Sequence, residues 1–107
     1  MAQTSQIVVT SRWPLHKGTE VGARYDKVGK EKGPSPAINS FKVYHTSTLK
    51  GWQLTIYYEV DVDKMGEALL YLNDFLGEFM DIEGYTFEIS LAVTGEELTA
   101  FLASRQG

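Results

Sequence analysis

The chain has 107 residues, no cysteine, a net charge of −4 and a pI of about 5.1. This length suits one domain, assigned to residues 1–107, and the hydrophobic content of 43% is typical of a globular protein. The missing cysteines exclude disulfides, thiolate metal sites and cysteine nucleophiles. The acidic charge is a poor match to nucleic acid, so we expect no nucleic-acid partner.

The N-terminal stretch MAQTSQIVVT lacks the basic region and the long apolar run of a signal peptide. No apolar stretch approaches the roughly 20 residues that are needed to span a bilayer. We therefore expect a soluble, cytoplasmic protein with no membrane partner.

The first two predicted elements are a strand and a helix. Residues 6–13, QIVVTSRW, are rich in β-branched side chains and precede Pro14, which ends a strand. Residues 16–33 are polar but carry one apolar stripe at helical spacing, weakened by two glycines; the stripe consists of Val21, Tyr25 and Val28.

The next two predicted elements form a β-hairpin. Residues 40–47 alternate Phe41, Val43 and His45 with polar or hydroxyl-bearing residues. The stretch TLKG, which ends at the permissive Gly51, predicts the turn. The strand 51–60 then places Trp52, Leu54, Ile56, Tyr58 and Val60 on one side, and Gln53, Thr55, Tyr57 and Glu59 on the other.

A long amphipathic helix and a last strand follow. The apolar spacing predicts a helix over 63–81, with Asp63 as its N-cap and with Gly84 stopping it after Ile82. Residues 85–93 alternate as a strand, and Thr94 with Glu97 forms a capping box that predicts a short C-terminal helix.

This order predicts an α+β, ferredoxin-like βαββαβ domain with a four-stranded antiparallel sheet and two helices on one face. The predicted core face takes the apolar side of strand 51–60 together with Ile7, Val9, Phe87, Ile89 and Leu91. The opposite face is open and mixes aromatic, charged and hydroxyl groups.

Five side chains on the open face are candidates for ligand binding: Arg12, Tyr44, Tyr57, Glu59 and Glu88. Arginine binds carboxylates in a bidentate manner, and tyrosine hydroxyls hydrogen-bond carbonyl or phenol oxygens. Glu59 or Glu88, if desolvated, would gain the raised pKa of a general base. The alternative is that all five are ordinary cross-strand pairs on a wet or dimer-buried sheet.

No motif in the chain predicts a metal or a cofactor. His16 and His45 are the only histidines, and they lie in no HxH or HExxH spacing. The glycines form neither a phosphate loop nor a dinucleotide fingerprint, and no serine lies in a GxSxG elbow.

The stretches IVVTSRWP, GWQLTIYYEVD and DIEGYTFEI resemble the dimeric α+β barrel superfamily, and in particular its small uncharacterised prokaryotic members. The resemblance covers roughly residues 6–102. It implies two ferredoxin-like subunits packed sheet against sheet around a ligand cavity. Relatives include cofactor-free monooxygenases, haem-degrading enzymes, lactone isomerases and stress-response proteins.

Two of these activities match the chain poorly. The haem-degrading type has an axial histidine on a helix, whereas helix 63–81 has none. The monooxygenase type uses an asparagine beside an aromatic pair, whereas Asn39 and Asn73 lie in a predicted loop and a predicted helix.

Three functions therefore remain open. The first is a homodimer, joined through the sheet face, that binds a small molecule in a cavity between its sheets. The second is a cofactor-free oxygenase or isomerase of the same barrel type, with Glu59 or Glu88 as its base. The third is a non-enzymatic interaction or regulatory module.

Overall fold

The computed structural model describes residues 3–92 and also residues 96, 99, 102 and 103. Within this part the elements follow in the order β1 (Thr4–Trp13), α1 (Gly18–Lys32), β2 (Ile38–Thr48), β3 (Gly51–Asp61), α2 (Met65–Gly77) and β4 (Thr86–Ala92). The strands form one antiparallel sheet in the order β2-β3-β1-β4. The predicted α+β domain with a four-stranded antiparallel sheet and two helices is therefore confirmed. The predicted capping box at Thr94 and Glu97 lies outside the described residues. Most residues of the predicted C-terminal helix also lie outside them.

Both helices cover the same face of the sheet. Val21 and Val28 of α1 are almost fully buried in a cluster with strand residues Trp13, Leu54 and Ile56. Residues of α2 join a second cluster with Ile7, Val9 and Val60, through Ala68, Leu72 and Leu76. Cross-strand pairing places Val9 opposite Ile56 and Trp13 opposite Trp52, so these strand residues share one side. The apolar side of β3 is thus the core side, as its alternation predicts.

The predicted second helix is too long at both ends. Residues Val62–Lys64 form a short 3-10 helix, and α2 starts at Met65 without a side-chain cap, so Asp63 is not an N-cap. The helix ends at Gly77, and residues 78–84 continue as turns. Phe79 and Ile82 are nevertheless buried, and the Ile82 amide donates to the Phe79 carbonyl oxygen at 3.0 Å. Consecutive turns bury apolar residues at nearly helical spacing, so the periodicity could not locate the helix end.

One predicted core residue is exposed. Leu91 lies opposite Ile7 and therefore on the helix side, yet it is 59% exposed. It belongs to the edge strand β4 and is the residue before the end of that strand. The alternation predicted the side of the sheet on which Leu91 lies, but it could not predict that the side chain is exposed.

The other edge strand, β2, is exposed along almost its whole length. Phe41 and Val43 lie opposite Tyr58 and Ile56 on the helix side, but they are 62% and 49% exposed. The two helices therefore leave an uncovered apolar strip along β2. Among the described residues, no helix is long and apolar enough to cross a membrane.

Candidate functional site

The open face of the sheet carries all five predicted ligand residues. Strand pairing places Tyr44 opposite Thr55, and it places Arg12 between Gln53 on β3 and Thr86 on β4. These positions alternate with the core residues, so their side chains point away from both helices. The five residues nevertheless form two separate groups.

The first group lines a pocket on the β2 side of the open face. Tyr44 and Tyr57 meet edge to face, with ring centroids 5.7 Å apart at an interplanar angle of 90°. They form a pocket of about 530 Å³ whose lining also includes Gln6, Lys42, Thr55 and Glu59. We call this the open-face pocket. It offers one cation, one carboxylate and two phenols to a ligand.

The second group lies further along the sheet. The Arg12 Nε donates a hydrogen bond to Gln53 Oε1 at 3.1 Å, and its Nη1 lies 4.0 Å from Glu88 Oε1. The Glu88 side chain is 78% exposed in the single chain, so it is not desolvated there. Gln53 and Tyr57 are four residues apart on β3, a separation of roughly 13 Å along the strand. Neither Arg12 nor Glu88 is part of the lining of the open-face pocket.

A larger cavity lies on the helix side, above the uncovered strip of β2. It measures about 740 Å³. Its walls are mainly aromatic and aliphatic and include Phe41, Val43, Leu54, Ile56, Leu72 and Phe75. Three tyrosines line it, Tyr25 from α1, Tyr58 from β3 and Tyr71 from α2, and we call it the tyrosine groove.

Two of the three groove hydroxyls are already engaged. The Tyr25 hydroxyl lies 3.4 Å from the Tyr85 hydroxyl. Because Tyr85 donates its own proton to the buried Ser11 Oγ at 3.0 Å, the Tyr85 oxygen is free to accept a hydrogen bond from Tyr25. Tyr71 donates to the Gly33 carbonyl oxygen at 2.5 Å. The protons of Tyr25 and Tyr71 are thus used within the chain.

The Tyr58 hydroxyl differs from these two. Within the described part of the chain it makes no hydrogen bond, and Tyr58 is half-buried beside Phe41. Burial raises the pKa of Tyr58 well above the ordinary tyrosine value, and the nearby Tyr25 and Tyr71 raise it further. Tyr58 therefore stays protonated at neutral pH and offers the groove an unused hydrogen-bond donor.

Sequence reasoning missed the tyrosine groove. It assigned Tyr25 and Tyr58 to apolar stripes, which is correct for their rings but leaves their hydroxyls out of account. The available signal was the presence of hydroxyl-bearing residues at core positions, since buried tyrosine hydroxyls require partners. The exposure of Phe41 and Val43, which opens the groove, has no signal in the alternation.

The comparisons with known proteins identify the fold. Among solved structures, the chain is similar to a dimeric ferredoxin-like protein from an uncultured marine organism, with a TM-score of 0.64 and 13% sequence identity over 86% of this chain and 95% of the other. The chain has a ferredoxin-like fold. It is also similar to the de novo designed protein Foldit4, with a TM-score of 0.55 and 12% identity over 86% and 99% of the two chains.

A third structure, a nitrogen regulatory PII-like protein from Thiomonas intermedia K12, covers 89% of this chain at 9% identity, and its TM-score of 0.39 supports no argument. No protein-family model and no curated protein matches the chain. The ferredoxin-like fold is thus established by structure, and function has to be argued from the two cavities.

Histidine does not add a metal site to this ferredoxin-like sheet. His45 lies beside Trp13 and Trp52, with ring centroids 5.9 and 5.2 Å away. In the described part of the chain, no three histidine or acidic side chains are grouped as metal ligands would be.

Proposed function

We propose that the chain is a small-molecule-binding protein that works as a homodimer joined through the open face of its sheet. The observation that carries this proposal is the open-face pocket, where Tyr44 and Tyr57 are 56% and 37% exposed. A second sheet packed on this face would remove both rings from water and close the pocket into a cavity. The ferredoxin-like neighbour is dimeric, which supports a dimeric state for this chain.

The lining of the open-face pocket fits a small polar aromatic ligand. Tyr44 and Tyr57 provide ring faces and hydroxyls, and Lys42 and Glu59 provide opposite charges. A volume of about 530 Å³ lies within the usual range for small-molecule sites. We assign Arg12 and Glu88 to the polar rim of the same dimer interface, where exposed charged side chains affect the orientation of partners more than their affinity.

Sedimentation velocity tests the dimer. We expect the wild type to sediment as a dimer at micromolar concentration. Tyr57→Asp should sediment as a monomer, because it introduces a charge at the centre of the proposed interface. The matched control is Leu70→Asp on α2, a residue that is 74% exposed and outside the open face, and it should remain dimeric. A wild type that sediments only as a monomer would contradict the proposal.

A crystal structure of the dimer tests the ligand part separately. We expect an enclosed cavity of at least about 300 Å³ bordered by Tyr44, Tyr57 and Glu59. Two sheets packed without such a cavity would contradict ligand binding on this face while leaving the dimer intact.

A further inference from the structure

A second binding site lies on the other side of the sheet and is independent of dimerisation through the open face. We infer that the tyrosine groove binds a neutral, largely apolar small molecule and recognises it by a hydrogen bond from the Tyr58 hydroxyl to an acceptor such as a carbonyl oxygen. Three features of the groove support this ligand: its shape, the absence of charge from its described lining, and the Tyr58 hydroxyl, which alone among the three groove tyrosines makes no hydrogen bond within the described residues.

The shape of the groove suits an organic ligand. Its volume of about 740 Å³ lies in the upper part of the range for small-molecule sites. The floor is formed by Leu54, Ile56 and Tyr58 of β3, and the walls by residues of both helices and of β2. Phe41 and Val43 remain largely exposed along its β2 side, so a ligand that covers them gains hydrophobic free energy.

Charge decides the class of ligand. Among the described residues that line the groove, none is charged. Lys32 lies close enough to influence the pKa of Tyr71, but its ammonium group already donates a 2.6 Å hydrogen bond to Asp74. A carboxylate or phosphate placed in the groove would lose its hydration without gaining a cation. A neutral ligand avoids this cost.

The hydrogen bonds of the groove tyrosines favour a ligand that carries an acceptor. Tyr71 donates to Gly33, and the proton of Tyr25 is directed to Tyr85, so Tyr58 is the groove tyrosine with a free proton. The oxygen of a ligand carbonyl would accept a hydrogen bond from the Tyr58 hydroxyl, in an environment from which water is largely removed. Under those conditions the hydrogen bond gains strength and its absence becomes costly.

Three probes of similar size test these statements: 2-acetylnaphthalene, 2-isopropenylnaphthalene and 2-naphthoate. The first two differ only in the replacement of a carbonyl oxygen by a methylene group, and the third carries a carboxylate. Titration of the ¹⁵N-labelled full chain, followed by NMR, gives the affinity and maps the site on the backbone. We expect the ketone to bind about 3- to 10-fold more tightly than the alkene. The naphthoate should bind more weakly than either.

Two adjacent tyrosines provide a matched pair of variants. Tyr58→Phe removes the free groove hydroxyl, whereas Tyr57→Phe makes the same change on the opposite face. We expect Tyr58→Phe to reduce ketone affinity to that of the alkene while leaving alkene affinity unchanged. Tyr57→Phe instead reports on the open-face pocket, so a probe affinity that changes in this variant would place the probe there rather than in the groove. A further variant, Val43→Arg, adds a cation beside the groove and should shift the preference towards naphthoate.

Four results would overturn the inference. Equal binding of ketone and alkene to the wild type would remove the role of the hydroxyl, as would a ketone preference that survives Tyr58→Phe. Chemical shifts that map to the open face and are lost in Tyr57→Phe would place the ligand in the open-face pocket. If no probe binds and Val43→Arg dissociates a dimer that Tyr57→Asp leaves intact, a second copy covers the groove. By contrast, a Tyr57→Asp variant that loses the dimer but binds the ketone with unchanged affinity would support two independent sites.

Discussion

Tyr57 and Tyr58 are consecutive residues whose side chains lie on opposite faces of one sheet. The Tyr57 ring is 37% exposed and meets Tyr44 on the face opposite α1 and α2. Tyr58 lies beneath the helices, where burial raises its pKa. The same residue type therefore faces a polar pocket on one side and a mainly apolar groove on the other. The position of the helices, rather than the residue type, determines how exposed each tyrosine is and which groups surround it.

The two faces also differ in what holds them together. The helix side contains closely packed aromatic rings: the Phe79 centroid lies 4.6 Å from that of Tyr25 in a tilted pair and 5.0 Å from that of Tyr85 in a stacked pair. Among the described residues, the open face has the edge-to-face pair described above and one exposed ion pair, between Arg12 and Glu88. We therefore expect substitutions on the helix side to affect the free energy of unfolding, and those on the open face to affect association.

The largest expected effect comes from the aromatic core. Phe79 has no exposed surface, and Phe79→Ala should lower the free energy of unfolding by about 3–5 kcal/mol through lost contacts and a cavity. The matched control is Phe41→Ala, whose ring is 62% exposed and which should cost less than about 1 kcal/mol. Urea unfolding followed by circular dichroism measures both values. Equal losses would contradict the contrast between the core and the β2 edge.

An intermediate effect is expected from the buried hydroxyls. Tyr85→Phe removes the hydrogen bond to Ser11 and the partner of Tyr25, and should cost about 1–3 kcal/mol, because Ser11 has no access to water. Tyr44→Phe makes the same change on the open face, where the hydroxyl can reach water, and should stay within about 0.5 kcal/mol. Both variants should be compared by urea unfolding under conditions in which each is a monomer.

The smallest expected effect concerns ion pairs. Arg24 binds both carboxylate oxygens of Asp81, at 2.6 and 3.1 Å, and also donates to the Glu78 carbonyl oxygen. This bidentate contact holds the pKa of Asp81 below its ordinary value. Its contribution to stability is therefore complete above the unfolded-state pKa, about 4, and is lost as the pH falls through the folded-state pKa.

Asp81→Asn tests this dependence. The variant should have a lower urea midpoint than the wild type at pH 7, and the two midpoints should converge as the pH falls below about 4. Glu88→Gln, which breaks the longer and exposed contact with Arg12, should leave the urea midpoint of the monomer unchanged at every pH. If the difference between the urea midpoints of Asp81→Asn and the wild type grew on acidification, the predicted pH dependence would be wrong.

The local elements could be predicted from sequence because their signals are local. The alternation in β3 assigned Leu54, Ile56 and Val60 correctly to the core, and the stripe of Val21, Tyr25 and Val28 predicted α1 despite two glycines within it. The end of α2 could not be predicted, because the turns after Gly77 bury apolar residues at a similar spacing. Boundaries depend on competition between local and tertiary contacts, which periodicity does not describe.

The candidate site was only partly predictable for the same reason. The alternation placed Arg12, Tyr44, Tyr57, Glu59 and Glu88 on one face, and the structure agrees. It could not show that Arg12 and Glu88 lie away from the pocket formed by the other three, since separation along a sheet depends on strand order and register.

By itself, the sequence determined which side of the sheet each strand residue faces, because the period of two is a property of the extended backbone. Only the tertiary structure decided which of those side chains are covered. The helices cover the centre of one face and stop short of β2, and this leaves Phe41 and Val43 exposed beside the unpaired Tyr58 hydroxyl. Cover depends on where two helices pack across the sheet, which no pattern within a single strand contains.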